Sequence, residues 1–178
     1  MPNWCNNSIT IKGSIESIKQ LWENATAEGS GLLNAIAPMP KELEGTTAPS
    51  SDGSMTWYSW RVNNWGTKWE VDTEGLEFID HEDGTAEISG YFDSAWAPPI
   101  DAYNTLAADF DSCYIEAYYY EPGMCFVGYW NSEGADEHYE YSAATSKTIR
   151  DIVPDYLVDW YCLEEDLQSW EEMEEEQD

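Results

Sequence analysis

Apolar and polar residues alternate through Trp4–Lys12, where Ile9 and Ile11 lie between Ser8, Thr10 and Lys12. A period of two predicts a first strand. Gly13 is expected to end it, and Ser14 to cap a helix in which Ile15, Ile18, Leu21 and Trp22 recur at helical spacing. Leu32–Ile36 is a short apolar run closed by Pro38-Met39-Pro40. Lys41–Ser54 is rich in Gly, Ser, Thr and Pro and reads as a mobile loop. The aromatic-dense stretch Met55–Trp65 predicts a short helix leading to Gly66.

Beyond it, Trp69–Asp72 and Leu76–Asp80 read as extended, and Glu82-Asp83-Gly84 as a hairpin turn. Thr85–Trp96 alternates as a strand, with Ala86, Ile88, Gly90 and Phe92 on one face. Pro98-Pro99 opens a helix carrying Ile100, Tyr103, Leu106, Ala107 and Phe110. Cys113–Tyr120 and Met124–Trp130 predict strands joined by a turn at Glu121-Pro122-Gly123, and Asp136–Tyr141 an edge strand. From Ile149 onward, Val153, Tyr156, Leu157, Trp160, Leu163, Leu167 and Trp170 form one stripe at spacings of three and four. This predicts a long helix with Pro154 tolerated early in it and a frayed tail over Glu171–Asp178. The order strand, helix, strands, helix, strands predicts an α+β fold. The expected architecture is a ferredoxin-like antiparallel sheet with helices on one face, plus extra hairpin strands and an acidic C-terminal helix. Residues 1–145 would form the ferredoxin-like domain, with loop 41–54, and residues 146–178 the acidic helix packed on it.

Charge changes this picture most. Against 7 Lys+Arg the chain carries 36 Asp+Glu, for a formal net charge of -29. Met1–Lys68 holds 6 acids and 5 bases, whereas Trp69–Asp178 holds 30 acids and two bases, Lys147 and Arg150. Self-repulsion of this size opposes compaction. The 10 Trp and 12 Tyr supply the apolar surface that disordered acidic chains lack, so the chain reads as folded. Direct binding of DNA, RNA or an anionic membrane needs cations that the acidic part does not have. No stretch approaches the roughly 20 apolar residues of a membrane span, and no leader pattern opens the chain. A cytoplasmic protein is expected, with Cys5, Cys113, Cys125 and Cys162 as buried thiols.

Four motifs occur in order: Met1-Pro2-Asn3-Trp4-Cys5 with Asn7, Pro38-Met39-Pro40, Asn64-Trp65-Gly66-Thr67-Lys68-Trp69, and Ala95-Trp96-Ala97-Pro98-Pro99. Together they resemble the YubB-type family of bacteriophage and conjugative-plasmid proteins, over roughly the first 130 residues. The resemblance implies a mobile-element origin and a ferredoxin-like domain, and carries over no catalytic residue. The extreme acidity and the acidic last helix depart from the family pattern.

The Asn64–Trp69 motif has two readings. Trp65, Lys68 and Trp69 form an aromatic pocket with one cation for an anionic ligand, or Trp65 and Trp69 are pinned into the core around a Gly turn while Lys68 shields carboxylates such as Glu70. Asp80-His81-Glu82-Asp83-Gly84 lacks the alternating ligands of a calcium loop, and His81 and His138 have no cysteine partners at metal-site spacing. No metal, no cofactor and no enzymatic activity are expected, since no nucleophile elbow, phosphate loop, zinc-protease or dinucleotide motif is present. Tyr114, Glu116, Tyr118 and Tyr120 share one strand face. That face is either a binding platform, with Tyr114, Tyr118 and Tyr120 as its aromatic contacts, or the seat of the last helix.

The acidic helix is the most suggestive element. Its apolar stripe needs a seat on the domain, which would leave Asp155, Asp159, Glu164, Glu165, Asp166, Glu171 and Glu172 facing solvent, with Asp136, Glu137 and Glu140 extending the row. Glu164–Asp178 holds 9 acids in 15 residues. At a rise of about 1.5 Å per helical residue this is one charge per about 2.5 Å, comparable with the one per about 1.7 Å of duplex DNA. The expected function is that of a phage-encoded acidic inhibitor. It would imitate nucleic acid and block a basic nucleic-acid-binding host protein such as a CRISPR effector, a restriction enzyme or another nuclease. Trp160, Trp170 or Tyr139 would anchor it at the margin. The alternatives are a non-enzymatic adaptor using the tyrosine face and an acidity that serves only solubility in high salt.

Overall fold

The computed structural model describes residues 3–109 and 113–175. Met1, Pro2, Phe110 and the last three residues of the acidic tail, named above, lie outside them. Among the described residues, six strands form one sheet: β1 (Trp4–Ser14), β2 (Leu76–Asp80), β3 (Thr85–Ala95), β4 (Tyr114–Glu121), β5 (Phe126–Asn131) and β6 (Asp136–Glu140). Their spatial order is β2-β3-β1-β4-β5-β6, and every neighbouring pair is antiparallel. The run β2-β3-β1-β4 is the ferredoxin-like arrangement, with β5 and β6 added at the β4 side.

Period-two burial in the central strands gives the sheet its two faces. Ile9 and Ile11 of β1 lie beside Ile88 of β3 and beside Ala117 and Ile115 of β4, all fully or almost fully buried. Over this face pack α1 (Ile15–Ala25), α2 (Leu32–Ile36), α3 (Trp57–Trp65) and α4 (Ile100–Asp109). They contribute Ile18, Leu21, Leu33, Trp65, Tyr103 and Leu106 to one hydrophobic core. Ser14 caps α1 through its hydroxyl, which accepts from the Ser17 N–H. Thr56 and Ser59 close a capping box at α3, and Gly66 ends that helix at φ 83°, where a side chain would be strained.

Two expectations are corrected here, and a third is refined. Gly13 does not end β1: it pairs with Ala86, and the strand runs on to Ser14. A Cβ there would sit 2.7 Å from the Cys113 Sγ, so a larger residue would have to displace that thiol. Trp69–Asp72, read as extended, pairs with no strand among the described residues, and the Glu70 side chain reaches towards α2. Its carboxylate accepts the N–H groups of Leu33 and Asn34 at 2.8 Å each and of Val71 at 3.0 Å, satisfying the first turn of a five-residue helix that has no cap of its own. Finally, the long last helix is broken. Ile149–Asp151 is a single 3-10 turn, and Pro154 sits just before α5 (Asp155–Tyr161), in extended conformation. Cys162 adopts φ 51° and separates α5 from α6 (Leu163–Glu175), which extends into the segment expected to fray.

α5 and α6 cover the second face of the sheet over β4 and β5. Leu157, Val158 and Leu163, with Ile149 and Val153 before them, bury against Tyr120, Val127 and Tyr141 in a second hydrophobic core. Trp160 stacks on Tyr118 with ring centroids 4.8 Å apart and planes 16° from parallel. At the far end, Glu171 of α6 accepts both the N–H and the hydroxyl of Ser146 at 2.8 Å each. The cysteines are free, but only Cys5 is buried, which pushes its thiol up to about 12; Cys162 is exposed at the break between the helices.

Glu70→Ala leaves the Leu33 and Asn34 N–H groups unpaired in a largely buried position, so a loss of about 2 kcal/mol in urea unfolding is expected. Gly31→Ala, whose new methyl would collide with the Glu70 side chain, is expected to destabilise as well. Unchanged urea midpoints for both would refute the anchoring role. Ser146 holds the Glu171 carboxyl below its ordinary value of 4.5. A depressed carboxyl contributes stability above the unfolded value and loses it as pH falls through the folded one. Glu171→Gln should therefore lower the melting temperature at pH 7, with the difference from wild type closing once pH falls below about 4.5.

Candidate functional site

The acidic layer is built on α5, α6 and β6, and its geometry turns on one cation. Arg150 leaves the 3-10 turn before α5 and spreads its guanidinium over three carboxylates. Nε donates to Glu164 at 2.7 Å, Nη2 to Glu164 at 2.9 Å and to Asp159 at 2.7 Å, and Nη1 to Asp155 at 3.1 Å. Asp155 and Asp159 share one face of α5 because they are four residues apart, and Glu164 opens α6. Arg150 thus spans the break at Cys162 and fixes the angle between the two helices. These hydrogen bonds hold the Arg150 pKa up and the Glu164 carboxyl below its ordinary value.

Other carboxylates expected to face only solvent have internal partners too. Asp166 accepts the Tyr120 hydroxyl at 2.8 Å, and Glu171 caps Ser146. Glu137 of β6 accepts the hydroxyls of Tyr156 at 2.7 Å and Tyr139 at 3.0 Å, which ties the edge strand to α5. Glu172 accepts the Gln168 amide at 2.9 Å. Glu137, Glu164, Asp166 and Glu171 are only partly exposed, which corrects the simple picture of a solvated row. Asp136, Glu140 and Glu165 are exposed. The structure therefore brings Glu137 of β6 together with the carboxylates of α5 and α6, whereas Asp136 and Glu140, which alternate with Glu137 along the strand, lie on the other face of the sheet; the sequence reading of one continuous row is corrected there.

The tyrosine face is not an open platform. Tyr120 is 7% exposed, Tyr118 lies under Trp160 and beside Tyr129, and Tyr114 is half-buried with its hydroxyl on Glu116 at 3.0 Å. The helices α5 and α6 need an apolar seat, and this face supplies it. Of the suggested anchors, Trp160 and Trp170 are half-exposed at 50% and 58%, and Tyr139 is partly buried.

The Asn64–Trp69 motif matches neither reading in full. Trp65 is buried and donates its indole N–H to the Ala37 carbonyl at 2.8 Å, and Thr67 donates to the Ala95 carbonyl at 2.8 Å. Lys68 does not shield Glu70: its ammonium lies 4.8 Å from the Trp69 ring and 5.8 Å from that of Tyr58. Trp69 is only partly buried and leans on Trp4, with centroids 5.8 Å apart. The carboxylates of the Asp80–Gly84 segment serve the hairpin turn, Asp80 accepting the Glu82 N–H at 2.8 Å and Asp83 the Thr85 N–H at 2.9 Å. Among the described residues, no group of three or more His, Cys, Asp or Glu is placed to hold a metal ion, and no helix is long and apolar enough to cross a membrane.

Two residues central to this arrangement escape a reading by motif. Arg150 carries a signal of its own, as one of two bases after Lys68, lying just before two aspartates at helical spacing. Glu70 carries none, since its partners lie 36 and 37 residues away.

Comparison with known proteins places this architecture. No curated protein matches the chain. Among solved structures, a protein Api92 from Yersinia pseudotuberculosis is similar, with 24% sequence identity over 65% of this chain and a TM-score of 0.45. The match covers 41% of that protein, so this chain corresponds to less than half of its length. A family model described as the ferredoxin-like domain in Api92-like protein matches residues 64–178. Two of the four motifs, those at Asn64–Trp69 and Ala95–Pro99, fall inside that match. The match also takes in α5 and α6, so the acidic terminal helices lie within the family domain rather than beyond it. With its β2-β3-β1-β4 core and its matched span of residues 64–178, the chain belongs to the family of the Api92-like ferredoxin-like domain.

Proposed function

We propose that the protein is a non-enzymatic inhibitor carried by a bacteriophage or plasmid, which sets its acidic layer into the nucleic-acid cleft of a basic host protein. The observation that supports this reading is the gathering of carboxylates from α5, α6 and Glu137 of β6 on one side of the sheet, held in place by Arg150, Ser146 and the tyrosine hydroxyls. Lys147 and Arg150 are the only Lys or Arg residues after Lys68, so a facing cationic cleft meets little repulsion. Fixed carboxylates lose little freedom on binding, and each still has lone pairs for an incoming Arg or Lys. Long-range attraction speeds the encounter. The mechanism is competitive exclusion: where the partner's cations meet carboxylates, they no longer meet phosphates. The resemblance to mobile-element proteins supports a defence protein as the target, namely a CRISPR effector, a restriction enzyme or another nuclease, met in the host cytoplasm. Covering of Tyr118 and Tyr120 by α5 and α6 removes the support for the adaptor reading.

The test is capture of a partner from lysates of cells that carry defence systems, repeated with competing duplex DNA and at raised salt. A nucleic-acid-binding protein released by both is expected. Retention against both would refute mimicry. The variant Glu165→Lys/Glu172→Lys, which changes exposed carboxylates of α6, should weaken capture by about tenfold or more. Arg150→Ala would leave Asp155, Asp159 and Glu164 facing one another without their shared cation. Its urea midpoint should fall at low salt and recover in part with added NaCl, which screens that repulsion. An unchanged midpoint at low salt would show that Arg150 does not hold the two helices.

A further inference from the structure

A cavity of about 280 Å³ opens between α6 and the turn that joins β4 to β5. Its walls combine two chemistries. Leu163 and Leu167 give an apolar lining, Tyr120, Tyr141 and Trp170 give aromatic rings, and Asp166 gives a carboxylate. Leu163, Asp166, Leu167 and Trp170 face the same way because they recur at three and four along α6. The site is held by its surroundings. One Asp166 oxygen accepts the Tyr120 hydroxyl at 2.8 Å. On the other wall the buried Glu121 carboxylate accepts the Gly123 N–H at 3.0 Å and the Met124 N–H, fixing the turn.

Building on the proposed function, we infer that this cavity receives the cationic side chain of a lysine or arginine presented by the basic partner. Such side chains have an apolar stem and a charged head. The leucines suit the stem, while the aromatic rings and Asp166 suit the head. The volume admits one side chain of this length and is small for a larger ligand. An anionic group would be repelled by the acidic surface around it. Arg150 shows the same preference within the chain, since α5 and α6 already hold one guanidinium through three carboxylates. Trp170, 58% exposed at the rim, is the residue a seated side chain would cover.

The test is titration of the full-length ¹⁵N-labelled protein, in physiological salt, with N-acetyl-lysine methylamide, N-acetyl-arginine methylamide and the neutral N-acetyl-norleucine methylamide. The cationic probes should shift the Trp170 indole and the Asp166 and Leu167 amides, and should bind about tenfold more tightly than the norleucine probe. Asp166→Asn keeps an acceptor for Tyr120 and should reduce cation binding to the norleucine level. Equal binding of the neutral probe would show a merely apolar crevice and overturn the inference. So would shifts spread over the acidic surface without focus at Trp170, or no shift at all. The comparison of probes on the unaltered protein stands even if a variant fails to fold. Loss of DNA-sensitive capture would refute nucleic-acid mimicry without moving these titrations, and a failed titration would leave salt-dependent capture as it was.

Discussion

A sheet with one apolar face needs one layer of cover; a sheet whose β4 and β5 are apolar on both faces needs two. That constraint organises this molecule. Ile115, Ala117 and Trp130 look towards α1–α4, while Tyr120, Val127 and Tyr129 look the other way and cannot be left in water. The helices α5 and α6 answer that need with Leu157, Val158 and Leu163, and their remaining surface is free to carry charge. The acidic layer is thus seated by hydrophobic burial, and its acidity is the outer side of an amphipathic pair.

Burial alone would not hold so many like charges close together. Carboxylates on α5 and at the start of α6 repel one another, and the macrodipole favours them only in the first turns. Arg150 relieves the worst of this by drawing Asp155, Asp159 and Glu164 around a single guanidinium. Tyr120, Tyr156 and Ser146 donate to three more carboxylates, Asp166, Glu137 and Glu171. Being exposed, the Arg150 cluster adds little net stability once salt screens it. Its effect is geometric, since it fixes where the charges point. A surface that must match a fixed pattern of cations benefits more from such placement than from additional charge.

The sheet was largely legible in the sequence, and the reason is local. Period-two alternation in β1 and β3, the Glu82-Asp83-Gly84 turn and the Pro98-Pro99 start of α4 are each set within a few residues. The failures are non-local. Gly13 stays in its strand by pairing with Ala86, far away in sequence. Glu70 serves α2, which lacks a cap of its own, from 36 and 37 residues away. The break at Cys162 is hidden because the apolar stripe continues in phase across it, and cysteine carries no turn signal. Once the helix breaks, Arg150 can reach residues 5, 9 and 14 positions away at once, an arrangement that a continuous helix would not suggest. The identity of the acidic residues could be read directly, but the division of labour among them could not, because their hydrogen-bond partners lie on other elements.

The neutrality of the first third follows from the same architecture. Met1–Lys68 supplies β1 and the helices α1, α2 and α3, which lie on the sheet face opposite α5 and α6. Of the 30 acids after Lys68, however, 18 fall from Glu70 to Glu140, the stretch that holds α4 and every strand but β1, so the imbalance runs along the chain and is not confined to one side of the sheet. The densest run is on α6, where Glu164, Glu165, Asp166, Glu171 and Glu172 fall within one stretch of two to three turns, and the field of the molecule is strongest there.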